Sequence, residues 1–102
     1  MALNSVALEG YVFKGPTRTQ SPSGVQHCHF VLEHQSQQFE ADLPRKAFVR
    51  IQVVVSGNAT QQLTQDLFQG CAVSVEGFLT QHEARNGLQK MVLHARNIEI
   101  KN

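Results

Sequence analysis

Apolar residues along this chain recur mostly at every second position, in short runs separated by Gly, Pro, Ser and Asn. Successive side chains of a strand point to opposite faces, so this period predicts strands with one buried and one wet face. The first run covers residues 3–14, with Val6, Leu8 and Val12 on one parity and Glu9 and Tyr11 on the other. Gly10 in its middle predicts a bulge or tight bend. Gly15-Pro16 and then Ser21-Pro22-Ser23-Gly24 read as a turn-rich hairpin loop. A second strand over 25–34 sets Cys28, Phe30 and Leu32 against His27, His29, Val31 and Glu33. Residues 35–44 are polar, lack an apolar period and read as a flexible connection. The third strand is the clearest: Ala47, Val49, Ile51, Val53 and Val55 share one face, and Lys46, Phe48, Arg50, Gln52 and Val54 the other. Ser56-Gly57-Asn58 ends it. The Gln-rich stretch 60–69, with Leu63, Leu67 and Phe68 at helical spacing, predicts a short helix closed by Gly70. A fourth strand over 72–81 carries Val73, Val75 and Leu79, with a bend at Gly77. Asn86-Gly87 inside the turn 83–87 is a strong hairpin signal. The fifth strand, 88–100, alternates Met91, Leu93 and Ala95 with Lys90, Val92, His94 and Arg96, and its parity breaks after Asn97, where a bulge is expected.

Five strands with a helical piece between the third and fourth form the element order of an OB-fold, an all-β five-stranded Greek-key barrel. Another small barrel or a sandwich shares that order. A chain of 102 residues fits one domain spanning 1–102. Its 41% hydrophobic content supports a core and argues against a disordered segment. The apolar runs are too short for a membrane-spanning helix. Met1-Ala2-Leu3-Asn4-Ser5 does not follow the pattern of a secretory signal, so the expected compartment is the cytoplasm. Cys28 and Cys71 are then expected to be buried reduced thiols.

Nine basic against eight acidic residues leave a net charge of +1, so any anion-binding surface must arise from placement. Duplex readout calls for a groove-entering helix or ribbon, and no basic helix is present. Single strands call instead for cations beside flat aromatic faces. Lys46, Phe48 and Arg50 alternate on the outer face of the third strand and meet that requirement. The plain alternative is a Phe that covers an apolar edge or a subunit contact; the flanking cations favour nucleic acid. Arg85, Lys90, His94 and Arg96 form a second cluster, which alone would read as a solvated face. Lys14 and Arg18 extend the path. His27, Cys28 and His29 invite a metal reading, but alternation places Cys28 opposite the two histidines, and no CxxC or HxxxH spacing accompanies them. No nucleophile elbow, phosphate-cradling Gly motif or carboxylate pair nominates a catalytic centre, so no enzyme and no cofactor is expected.

Further residues carry a resemblance. Ser21-Pro22-Ser23-Gly24, His27-Cys28, Phe30-Val31-Leu32-Glu33-His34, Val55-Ser56-Gly57, Gly77-Phe78, Asn86-Gly87-Leu88 and Lys90-Met91-Val92-Leu93-His94-Ala95 make the chain similar to the PriB family of primosomal proteins, related to bacterial single-stranded-DNA-binding proteins. The resemblance implies an OB-fold homodimer without catalytic activity that binds single-stranded DNA. It also implies a role in replication restart with the PriA helicase, which it stimulates, and the loader DnaT. On that basis Phe48 stands for a family Trp, Arg45 and Lys90 match basic positions, and Arg85 replaces a Lys. Glu83, Thr19 and Gln35 replace family basic residues and Leu43 a Phe, which Lys46 and Arg50 partly offset. The expectation is weaker and less salt-sensitive DNA binding with more reliance on protein partners. The competing reading is a protein-interaction module whose DNA contact is incidental. An RNA-binding cold-shock-like barrel would need aromatics grouped on adjacent strands, and a metal-dependent enzyme fits least.

Overall fold

The alternating runs close on themselves. In the computed structural model, which describes residues 2–101, five strands form one closed barrel: β1 (Val6–Gln20), β2 (Gln26–Glu40), β3 (Leu43–Ser56), β4 (Ala72–Glu83) and β5 (Gln89–Ile100), with the single helix α1 (Thr60–Thr64) between β3 and β4. Strand order around the barrel is β1-β2-β3-β5-β4. All neighbours are antiparallel except β3 and β5, which run parallel through Gln52–Val92, Val53–Leu93 and Val54–His94. This is the OB-fold expected from the sequence.

The core consists of the parity that periodicity selected. Val12, Phe30, Leu32, Val53, Val55, Val73, Val75 and Leu93 are all buried in one cluster. Full burial of each such side chain contributes roughly 1.5–3 kcal/mol, so the inward parity is strongly fixed. Cys28 and Cys71 are buried free thiols. A closed barrel this small must bend its strands sharply, and Gly10 and Gly77 sit where it does. A Cβ at Gly10 would overlap the backbone carbonyl of Glu33, and one at Gly77 that of His94. His34 fastens the first crossing, its Nδ1–H donating to the Glu9 carbonyl at 2.6 Å.

Several expectations need correction. Residues 35–44 are no flexible connection: β2 and β3 stay paired out to Glu40–Leu43, and the turn is made by Ala41 and Asp42 alone, with φ of 52° and 63°. Two central residues with positive φ fit the right-handed twist of a two-residue hairpin. The segment carries no apolar period because it leaves the barrel and is wet on both faces. Likewise β1 runs through the cis Gly15-Pro16 bond to Gln20, taking up register shifts between Val12 and Lys14 and between Lys14 and Thr17. Only Ser21–Val25 is left as the turn, closed by backbone bonds between those two residues and between Gly24 and Ser21. The helix is a single turn; Leu67 is buried beyond it and Phe68 is exposed. The parity break in β5 comes at Arg96, the extra residue between the pairs Glu76–Asn97 and Gly77–Ala95. Met91 keeps the inward parity but is exposed past the barrel mouth, whereas Val92, on the outward parity, is buried.

Filling the Gly77 crossing forces backbone apart, at a cost of about 1–3 kcal/mol. Gly77→Ala is expected to lower the thermal midpoint by at least about 4 °C, the scale for a domain of this size. An unchanged melting curve would mean the crossing is looser than described.

Candidate nucleic-acid interface

Because Val53 and Val55 are held in the core, strand geometry turns Lys46, Phe48 and Arg50 outward. Phe48 is 52% exposed. Across β2 these three face Gln37, Gln35 and Glu33 in turn. Lys46 has no ion pair among the described residues. Arg50 does: its Nε donates to Glu33 Oε2 at 2.8 Å. Its guanidinium also lies 4.0 Å from the Phe13 ring centre and 5.4 Å from that of Phe48. The cation expected beside Phe48 is therefore present, but its charge is largely offset by Glu33. What it adds is a flat polar plane between two rings.

Arg85 and Lys90 of the second cluster join this face through the parallel pairing of β3 and β5, whereas His94 pairs with Val54 and Arg96 follows it toward the far end of the barrel. Both strands enter the barrel from the same end, so the β2–β3 and β4–β5 hairpins project together. The β4–β5 tip is closed by Ala84 N–H to the Leu88 carbonyl at 2.8 Å and Gly87 N–H to the Ala84 carbonyl at 2.9 Å, with Arg85 in the turn. Lys90 lies two residues before Val92, at the height of Arg50. Arg45 is on the other arm, 3.7 Å from Glu40, both side chains more than half exposed. Such a pair contributes little and opens readily.

Arg18 is not brought to this surface. It pairs with Cys28, which pairs with Val55. That row is about 23 Å of strand from Phe48, at roughly 3.3 Å per residue. Its guanidinium donates to the Thr64 hydroxyl and, at 2.6 Å, to the Thr64 carbonyl, tying β1 to α1. The reason is the length of β1: a strand that does not turn at Gly15-Pro16 carries Arg18 to the opposite end of the barrel. The histidine reading also resolves: Cys28 is inside, while His27 lies outside with its Nδ1 2.8 Å from the Ser56 hydroxyl.

Four exposed aromatics lie outside the candidates taken from the sequence: Tyr11, Phe13, Phe39 and Phe68. Tyr11 and Phe13 share the outward parity of β1, so the alternation that buries Val12 leaves both exposed. Phe39 lies on the projecting β2–β3 arm, where no apolar period marks it.

On β4 and β5 a column of rings covers the outer face. Phe78 and His94 are stacked with centres 5.0 Å apart and planes 6° apart; His82 follows at 5.9 Å, and Arg96 lies 5.0 Å over Phe78. The Thr80 hydroxyl is 2.7 Å from His94 Nε2. Burial, and then the neighbouring His82, lower the pKa of His94 below the ordinary histidine value.

These features define a class: small OB barrels with an aromatic and basic outer face of the single-strand-binding kind. Residues 4–97 match the model of a family described as "Another single-strand binding protein family". The chain is 51% identical over 100 residues to the replication restart protein PriB of Serratia proteamaculans, covering 98% of this chain and 95% of that one. It is 55% identical over 95 residues to PriB of Vibrio cholerae, covering 93% and 95%. The crystal structure of PriB from Ralstonia solanacearum superposes with a TM-score of 0.80 at 20% identity, over 99% of this chain and 100% of that one. The chain belongs to the PriB family of replication restart proteins. That is a family of binding proteins without enzymatic activity.

The lowered His94 pKa sets a pH dependence. The unfolded chain takes up this proton more readily than the folded one, so His94 costs no stability above about pH 6.5, the unfolded value. Stability falls as pH drops below that and through the lower folded value. His94→Phe keeps a ring on Phe78 and removes the titration, so its stability should fall less steeply between pH 7 and 5 when both proteins are unfolded in urea. Equal slopes would show that His94 is not linked to folding.

Proposed function

We propose that the chain binds single-stranded DNA across the outer face of β3 and between the two projecting hairpins, as an accessory protein of the replication restart primosome. The observation that carries this reading is Phe48, half exposed and set between Lys46 and Arg50 on a strand whose other face is locked in the core. Arg45, Lys46, Arg85 and Lys90 neutralise phosphates, and Phe48 stacks on a base. Arg50 contributes mainly its plane. Arg18 contributes to the fold at the far end and takes no part in the track. The PriA helicase and DnaT are the protein partners this reading assigns, with stimulation of PriA as the outcome. A homodimer fits the start of β1: residues 6–8 pair with β4 on one edge, and their other edge, which has no partner strand among the described residues, is open to a second copy.

One observation favours the reading in which the arm also docks protein. Phe39 and Leu43, 73% and 56% exposed at the hairpin tip, present apolar surface with no phosphate-binding role. The two readings separate in one variant: Phe48→Ala should weaken DNA binding and leave helicase binding intact.

Labelled oligonucleotide titrations at several salt concentrations test the main reading. Phe48→Ala should weaken binding about 5- to 150-fold, the range for one lost base stack, without changing the salt slope. Lys46→Ala and Lys90→Ala should each flatten the slope by about 0.7. The wild-type slope should itself be shallow, because Glu33 offsets Arg50 and Glu83 lies beside the remaining cations of this face. A steep slope, or full affinity in Phe48→Ala, would refute the arrangement.

A further inference from the structure

Phe13 and Tyr11 are large, partly exposed rings that the core does not use. Both are absent from the buried cluster and from the residues packed on it, and they are 43% and 60% exposed. They lie on β1, two strands away from Phe48, with β2 between. Arg50 spans that gap, since its guanidinium touches both Phe13 and Phe48. Beside Phe13 lies a cleft of about 480 Å³ bounded by Tyr11, Glu33 and Gln69. Its polar groups are already oriented. Gln69 Nε2 donates to the Phe13 carbonyl at 3.3 Å, which holds the amide in place and leaves its oxygen as an acceptor. Glu33 gives Oε2 to Arg50 and keeps Oε1 as a second acceptor.

We propose that this cleft is a second nucleobase pocket, in which a base stacks on Phe13 and turns an N–H edge toward Glu33 and Gln69. The inference rests on the single-stranded-DNA reading and extends its track from β3 across β2 to β1. The chemistry suits a base and not a phosphate: the cleft has flat apolar walls and acceptors, and the carboxylate repels anions. All four bases carry an N–H donor on the pairing edge, so the pocket takes a base without demanding one sequence, as stacking platforms do. Glu33 acts as a positioning residue in this arrangement. It holds the Arg50 guanidinium over Phe13, 4.0 Å from the ring centre, and so joins the two platforms.

The experiment uses the full chain, which contains no Trp. Phe13→Trp places a fluorophore in the pocket and keeps a stacking ring. Its emission should be quenched by a thymidine oligonucleotide and left unchanged by an abasic oligomer of equal length and charge. Phe13→Leu keeps apolar volume and loses the flat face; it should bind oligonucleotide about 5- to 150-fold more weakly with an unaltered salt slope. If Phe48→Ala weakens binding while Phe13→Leu binds as wild type and Phe13→Trp is not quenched, the pocket is overturned and the β3 reading stands. If the wild-type chain binds no oligonucleotide, both fall together. A thermal melt of each variant identifies loss of folding, and the quenching of Phe13→Trp decides the matter if Phe13→Leu does not fold.

Discussion

The register between β2 and β3 is the constraint on which the rest of this protein depends. It is unbroken from His27–Ser56 to Glu40–Leu43, and it is anchored where Phe30 and Leu32 meet Val53 and Ile51 inside the barrel. A slip by one residue would exchange the two faces of β3, turning Arg50 toward the core and exposing the valines. The core thus fixes the position of every candidate side chain on this strand without touching any of them. The same register carries outward along the arm, where no core exists. There the two-residue turn at Ala41 and Asp42 holds the pairing that burial no longer specifies.

Legibility in the sequence followed burial. Val53, Val55, Val73, Val75 and Leu93 announce themselves by period because one side of each strand faces oil and the other water. Residues 35–44 are wet on both sides, so they lack a period even though they are as regular in backbone as the rest. The same logic explains Met91 and Val92, where the barrel mouth reverses the usual fate of each parity. Gly10 and Gly77 were legible as interruptions, since only a missing Cβ allows the approaching carbonyls. The true extent of β1 was hidden by Gly15-Pro16, a pair that ordinarily ends a strand. Because β1 runs on to Gln20, Arg18 braces α1 instead of extending the track.

Electrostatic bookkeeping from sequence was less reliable than parity, for a related reason. Lys46 and Arg50 look equivalent as text, but Glu33 lies directly across from Arg50, whereas Gln37 lies across from Lys46. The cross-strand partner decides whether a cation is available to a phosphate or already matched. Partners seventeen residues away cannot be seen before the register is known.

These placements shift the balance of forces on the outer face. Glu83 stands at the base of the β4–β5 hairpin opposite Gln89, and Glu33 offsets Arg50. Both reduce the part of any polyanion affinity that comes from counterion release, which salt screens. On the proposed reading, Phe13, Phe48 and the Arg50 plane would add stacking contacts that depend little on ionic strength. A surface built this way gives up long-range attraction and gains short-range grip. It would select chains with unstacked, exposed bases over duplex, because a paired base has no free face to offer and the remaining charge is too sparse to hold phosphates alone. Low net charge is then no argument against nucleic-acid binding here: on the proposed reading, preference for the unpaired form depends on the ratio of stacking to charge and not on charge alone.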